Sequence, residues 1–229
     1  MDRINLHDFG YVELLDMMGD DMTPVRAARV SYNQPLKGIE PDTKLLRYLM
    51  THDHWSPFEQ VALAWEIKLP IFVSRQILRH RTARLNEFSM RYADAAMGEE
   101  EIDFYVPEEF LAQDAKNKQA SAEPLEEQGP AFNLYITSLD TAAQTYRALL
   151  NQGVSREQAR AVLPVATYTK MVWQNDLRNT LHFLRLRLDK AAQPETRDYA
   201  LAMRDIMRQK LPIIMSLWEE LNSAGHGGV

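Results

Sequence analysis

Hydrophobic and polar positions repeat along this chain with the periods of both helices and strands. Between Met22 and Tyr32 the residues suit a helix, with Thr23 and Pro24 as cap and first-turn pair and Val25, Ala28 and Val30 on its apolar side. After Pro41, Leu45, Leu46, Tyr48, Leu49 and Met50 recur at helical spacing and predict a second helix. His52 to Pro57 reads as a turn rich in polar side chains. Val61 to Leu69 alternates loosely around Trp65 and Ile67, which predicts a strand ending at Pro70. A proline loses nothing in a first helical turn, where its missing N–H has no partner, so Pro70 opens a helix from Ile71 to about Arg81. At about 100° per residue, Arg75, Gln76 and Arg79 form one polar stripe, away from Ile71, Ile77 and Leu78. On an otherwise apolar helix, such a stripe faces solvent or a ligand.

Ala112 to Gly129 is polar and contains Pro124, so it is expected to be an exposed, irregular insertion. Ala131 to Leu150 predicts a helix with Leu134, Ile136, Leu139, Ala142 and Leu149 as core candidates. Ser155 is placed as the cap of a short helix, with Glu157 in its first turn. Thr167 to Trp173 is β-branched and aromatic, favouring a strand, and Leu177 to Leu188 returns to helical spacing. A long helical region spans Gln193 to Leu221, broken near Pro212, and residues 222–229, with Gly225, Gly227 and Gly228, read as a frayed tail.

Composition narrows the chemistry. A chain of 229 residues that is 45% hydrophobic can bury a sizeable core. Its net charge of -6 argues against nonspecific binding to nucleic acid or anionic membranes, so any anionic ligand has to be met by a local basic cluster. Cysteine is absent, which removes disulfides, thiolate metal sites and every mechanism built on sulfur attack. No apolar run suits a signal peptide or a bilayer span, and a cytoplasmic location is expected. His52 and His54, spaced by two, read as part of a polar turn, and no metal site is expected. The chain has neither a dinucleotide-binding glycine fingerprint nor a phosphate loop. The 11 methionines read as core fillers.

One local cluster stands out. Arg79-His80-Arg81-Thr82-Ala83-Arg84-Leu85-Asn86-Glu87-Phe88-Ser89-Met90-Arg91-Tyr92 gathers arginines, a histidine and neutral or acidic hydrogen-bonding groups. Guanidinium groups bind phosphate and carboxylate in a bidentate way, so the cluster nominates a polyanionic ligand. On charge alone, surface or interface ion pairs with the 32 acidic residues are the better explanation. The order of residues decides otherwise: the segment resembles the signature of the flavin-dependent thymidylate synthases, in which Arg-His-Arg is followed by an Asn-Glu pair, a Ser and a closing Arg-Tyr. The resemblance continues through Val25 to Ser31, Ser56-Pro57-Phe58-Glu59, Pro70 to Gln76, Ala159 to Pro164, Asp176-Leu177-Arg178 and Leu186-Arg187. Residues 96–130 and the C-terminal tail match poorly.

The resemblance implies reductive methylation of dUMP to dTMP, with FAD as cofactor and NADPH and methylenetetrahydrofolate as co-substrates. It assigns the pyrimidine nucleotide to Gln76, Arg79, Glu87, Ser89, Met90 through its backbone, Arg91, Arg160 and Arg187. It places His54, Ser56, Glu59, Arg79, His80, Arg81, Glu87, Asp176, Arg178 and His182 around the flavin. Arg187 matches the arginine that stabilises negative charge on the uracil ring, an electrostatic catalytic role. No enzyme cysteine attacks the pyrimidine in this family, in agreement with the absence of cysteine. Ser89 lacks an evident base and is assigned to hydrogen bonding.

Helical geometry puts Arg178 and His182 on one face and Arg187 nearly opposite, so both sides of their helix are expected to face ligands. The resemblance implies that this helix lies between neighbouring active sites of an oligomer, a homotetramer by analogy with the family. Two positions depart from the family: Arg84 stands where serine is common, and Ala191, shortly before Pro194, where histidine is common. The alternatives are a paralogue carrying out another flavin- and folate-dependent modification of a pyrimidine nucleotide, such as hydroxymethylation, and a noncatalytic nucleotide- or RNA-binding module. The acidic net charge weighs against RNA. The reading as a whole is one α+β domain over residues 1–229, with helices flanking a small, mostly antiparallel sheet.

Overall fold

A computed structural model describes residues 2–89, 102–115 and 121–223. The chain opens with a hairpin, β1 (Arg3–Leu6) and β2 (Gly10–Met18), then two helices, α1 (Thr23–Val30) and α2 (Ile39–Thr51). A short 3-10 helix, Ser56–Gln60, leads into β3 (Ala62–Pro70), α3 (Ile71–Ile77) and β4 (Arg84–Glu87). A small hairpin of β5 (Leu111–Gln113) and β6 (Ser121–Pro124) precedes α4 (Gly129–Asn151), α5 (Arg156–Ala159) and a second 3-10 helix, Arg160–Val162. The chain ends in β7 (Tyr168–Asp176), α6 (Leu177–Arg187), α7 (Pro194–Lys210) and α8 (Pro212–Ser223).

The main sheet is five-stranded and antiparallel, in the order β1-β2-β3-β7-β4. Its centre is set by two alternating strands, with Trp65 on β3 directly opposite Trp173 on β7, both fully buried. The fold is therefore α+β, as the residue pattern suggested, and one contiguous core joins the sheet to α6, α7 and α8. Met50, Met171, Met203, Met207 and Met215 are buried in it.

Polar contacts fix the helix ends. Asp176 caps α6 by accepting from the backbone N–H of Asn179 at 2.9 Å. Asp21 does the same for α8, accepting from the amides of Ile214 (2.8 Å) and Ile213 (3.3 Å), and its burial raises its carboxyl above the ordinary value. Leu211 breaks the C-terminal helical region just before Pro212.

Several expectations need correction. The sequence reading placed no strands at β1, β2 or β4. Helix α3 stops at Ile77 rather than near Arg81, because Leu78 closes it by donating to the Ser74 carbonyl and His80 N then bonds Ile77 O in a turn. Thr23 is not a side-chain cap: Met22 holds that position, and Thr23 Oγ1 accepts from Asp20 N instead. Ser155 occupies an N-cap position without a side-chain bond. In α1 the buried residues are Pro24, Val25 and Arg29, while Val30 is exposed, because Arg29 turns inward to meet Asp42. In α4, Leu139 is buried with Ala143 and Tyr146, but Leu134 and Ile136 are exposed, since the helix meets α5 and the second 3-10 helix rather than the sheet. Part of the predicted irregular insertion is the β5–β6 hairpin, and its residues 116–120 lie outside the described ones. Of the predicted tail, Asn222 and Ser223 are helical and the rest is outside the described residues.

Candidate active site

The turn after α3 and the inner face of α6 enclose a cavity of about 320 Å³, lined by Arg79, His80, Arg81, Thr82, Trp173, Asn175, Asn179, His182, Leu186 and Arg187. Two local features create it. The early end of α3 releases Arg79, His80 and Arg81 into a turn, and the Asp176 cap starts α6 immediately after β7. Asn179, His182 and Leu186 then follow at spacings of three and four and share one face.

Arg187 is half-buried here. Its Nε donates to His80 Nε2 at 3.2 Å and its Nη2 to the Gln76 carbonyl at 3.1 Å. Both acceptors are neutral, so the guanidinium charge has no carboxylate partner among the described residues. Burial correspondingly lowers Arg187 from its ordinary value. His80 lies edge-on to Phe183 at 5.1 Å and to His182 at 5.9 Å. Burial, then the charges of Arg187 and His182, push its imidazole down from 6.5 to about 4, so it is neutral near pH 7.

On the other side of α6 a larger cavity, about 900 Å³, is lined by Arg29, Ser31, Tyr32, Tyr48, Asp53, His54, Trp55, Ser56 and Arg178 among others. Glu59 and Arg178 pair beside it, Nη1 donating to Oε1 at 2.6 Å. Helix α6 thus separates two cavities, but the helical wheel assigned the sides incorrectly. His182 lines the small cavity with Arg187, whereas Arg178 lines the large one. The small cavity spans a wide arc of the helix, and Arg187, at its last residue, reaches across to His80.

The remaining predicted positions divide. Gln76 contributes its carbonyl to Arg187. Glu87 lies on β4, where its Oε1 accepts from Thr169 Oγ1 at 2.9 Å, and Ser89 follows just beyond the strand. Asp176 spends its carboxylate on the α6 cap and on Asn179 Nδ2. Arg160, in the second 3-10 helix, lines neither cavity. Met90 and Arg91 lie outside the described residues. Arg84 is exposed on β4, in register with Gln174, and also lines neither cavity, so its long cation does not obstruct them.

Sequence reasoning passed over Trp173, Asn175 and Asn179 in the small cavity and Tyr48 and Asp53 in the large one. Asn179 had a usable signal, its spacing of three from His182. A third cavity, about 580 Å³, is lined by Glu108, Glu109, Glu195 and Asp198, with no lysine or arginine among its described residues. Among the described residues, no three acidic or histidine side chains form a metal-holding group.

The family described as thymidylate synthase complementing protein matches residues 13–213. A flavin-dependent thymidylate synthase from Thermus thermophilus is 47% identical over 213 residues, which span 93% of this chain and 77% of that protein. The enzyme of the same description from Treponema denticola is 43% identical over 227 residues, 95% and 82% of the two chains. Among solved structures, a UMP/dUMP methylase, PolB from Streptomyces cacaoi bound with 5-Br dUMP, superposes with a TM-score of 0.82 at 29% identity, covering 95% of this chain and 97% of that one.

Proposed function

Because this chain belongs to the flavin-dependent thymidylate synthase family, we propose that it methylates dUMP to dTMP with FAD as cofactor, methylenetetrahydrofolate as carbon donor and NADPH as reductant. The observation that carries the reading is Arg187, a half-buried guanidinium held, among the described residues, by neutral acceptors in a cavity that also presents Arg79 and Arg81. Such a charge is set to meet an anion that forms or arrives there.

The residues present fit a flavin dinucleotide. The basic side chains of the small cavity suit phosphate or an anionic ring, and the larger cavity offers the exposed Tyr48 ring for stacking, with His54, Ser56 and Arg178 as polar partners. His54, Ser56, Glu59, Arg79, His80, Arg81, Glu87, Asp176, Arg178 and His182 would hold the flavin, which when bound supplies hydride. Arg79, Gln76, Glu87, Ser89, Met90, Arg91 and Arg160 would hold the nucleotide. Arg187 would stabilise negative charge on the pyrimidine ring. With no cysteine in the chain, no thiolate takes part, and the electrostatic contribution of Arg187 gains weight.

A ribonucleotide substrate is the second reading, favoured by the UMP/dUMP methylase to which the fold is similar. Assembly as a homotetramer belongs to the proposal, supported by the exposed Leu134, Ile136, Val162 and Val165 around α4 and its neighbours, and a cytoplasmic location belongs to it as well. The test is binding: purified protein should take up FAD with a visible flavin spectrum, and the flavin-loaded protein should bind dUMP by calorimetry. Arg187→Ala should weaken dUMP binding and leave flavin uptake in place. Protein that binds neither compound would remove the proposal.

A further inference from the structure

We infer that His80 is a positioning residue, a neutral hydrogen-bond acceptor that sets the Arg187 guanidinium in place before any ligand enters. Its consequence for turnover rests on the methylation reading; its chemistry does not.

The donor and acceptor roles follow from the pair itself. A guanidinium Nε can only donate, so His80 Nε2, 3.2 Å away, has to offer a lone pair and the ring proton has to sit on Nδ1. The second bond, from Nη2 to the Gln76 carbonyl at 3.1 Å, uses an acceptor near the C-terminus of α3, where helix carbonyls lack intrahelical partners. Nε and Nη2 form one edge of the planar fork. Both protein acceptors hold that edge, and Nη1 makes no hydrogen bond among the described residues, which leaves the far end of the fork for an anion.

Protonating His80 would convert the acceptor into a donor facing a donor and set two positive charges side by side. The surroundings disfavour it: Arg187 and His182 approach from α6, Arg79 and Arg81 flank it in its own turn, and the Phe183 ring packs at 5.1 Å. Burial first, and then the charges of Arg187 and His182, depress the imidazole in step with this geometry. Position 80 therefore requires an acceptor that stays uncharged, a demand that a flavin contact alone would not impose.

Two measurements test this. Nitrogen-15 NMR of the histidine rings in the wild-type protein, from about pH 5 to 8, should show His80 Nε2 unprotonated throughout. In flavin-loaded protein, His80→Phe, which keeps a ring without the acceptor, should lower kcat by roughly tenfold or more with a smaller change in nucleotide KM. His80→Gln, whose amide oxygen can restore the acceptor, should recover most of that loss. A protonated Nε2, titration near the ordinary 6.5, or equal impairment of the Gln and Phe variants would overturn the inference. The NMR result does not depend on turnover, so a wild-type protein that makes no product would count against methylation and leave the role of His80 to be decided by the ring nitrogen.

Discussion

Arg29 and Asp42 form a buried ion pair between α1 and α2, with Arg29 Nε donating to Asp42 Oδ1 at 3.1 Å and Nη2 reaching the same oxygen. Asp42 Oδ2 accepts from the backbone amides of Lys37 (2.9 Å) and Gly38 (3.1 Å). The pair thereby fixes the segment from Ser31 to Gly38, and Arg29, Ser31, Tyr32 and Gln34 wall the larger cavity.

Replacing one partner leaves the other charge buried without compensation. Asp42→Asn should destabilise the protein by about 3 to 5 kcal/mol, measured by chemical unfolding. A loss below about 1 kcal/mol would mean that the pair behaves like an exposed one.

Acid should weaken the fold in two steps. His80 has an ordinary value of 6.5 and about 4 when folded, so the unfolded chain binds the proton first and stability falls as pH drops from 6.5 toward 4. For Asp42, burial opposes ionisation, but the Arg29 hydrogen bond and the Lys37 and Gly38 amides outweigh it and hold the carboxyl below 3.8. That contribution is present above 3.8 and is lost as pH falls through the folded value. Urea unfolding across this range should show a shallower loss between pH 6.5 and 4 for His80→Gln than for wild type. Parallel curves would exclude His80 as the source.

Gly10 begins β2 beneath Tyr199. A Cβ there would collide with Tyr199 Oη and lie 2.7 Å from the Leu6 carbonyl. Gly10→Ala should therefore cost about 1 to 3 kcal/mol by thermal unfolding, although glycine is ordinarily the weaker strand residue. Unchanged or increased stability would show that the hairpin and Tyr199 give way freely.

The exposed α4 face should matter for assembly. Leu134, 76% exposed, gains nothing from water. Leu134→Glu should shift the sedimenting species to smaller size with the monomer still folded. An unaltered sedimentation profile would show that this face takes no part in any assembly.

Legibility of the fold followed burial. Helix α2 and strand β3 announced themselves because one face of each is buried, and their apolar residues keep the matching period. Strand β4, Arg84–Glu87, is exposed throughout and among the described residues pairs only with β7, so nothing in its residues marks it as a strand. Strand β2 is interrupted by a register shift between Leu14 and Asp16, which breaks its alternation. Leu134 and Ile136 were indistinguishable from core residues by spacing, since periodicity identifies an apolar face and not what covers it. For the site, the signature order brought Arg79, His80 and Arg81 to attention, and the fold joins them to His182 and Arg187 about a hundred residues later. The Arg187–His80 bond was not readable, because it depends on α3 ending early and on the reach of one side chain.

Turnover tests the catalytic reading most directly: purified protein with FAD, NADPH, methylenetetrahydrofolate and dUMP, and UMP in parallel, with nucleotide products identified by mass. Methylation predicts dTMP from the wild type and a loss of roughly 100-fold or more in Arg187→Lys, which keeps the charge but not the fork. Flavin bound, dUMP bound and dUMP recovered unchanged would contradict it.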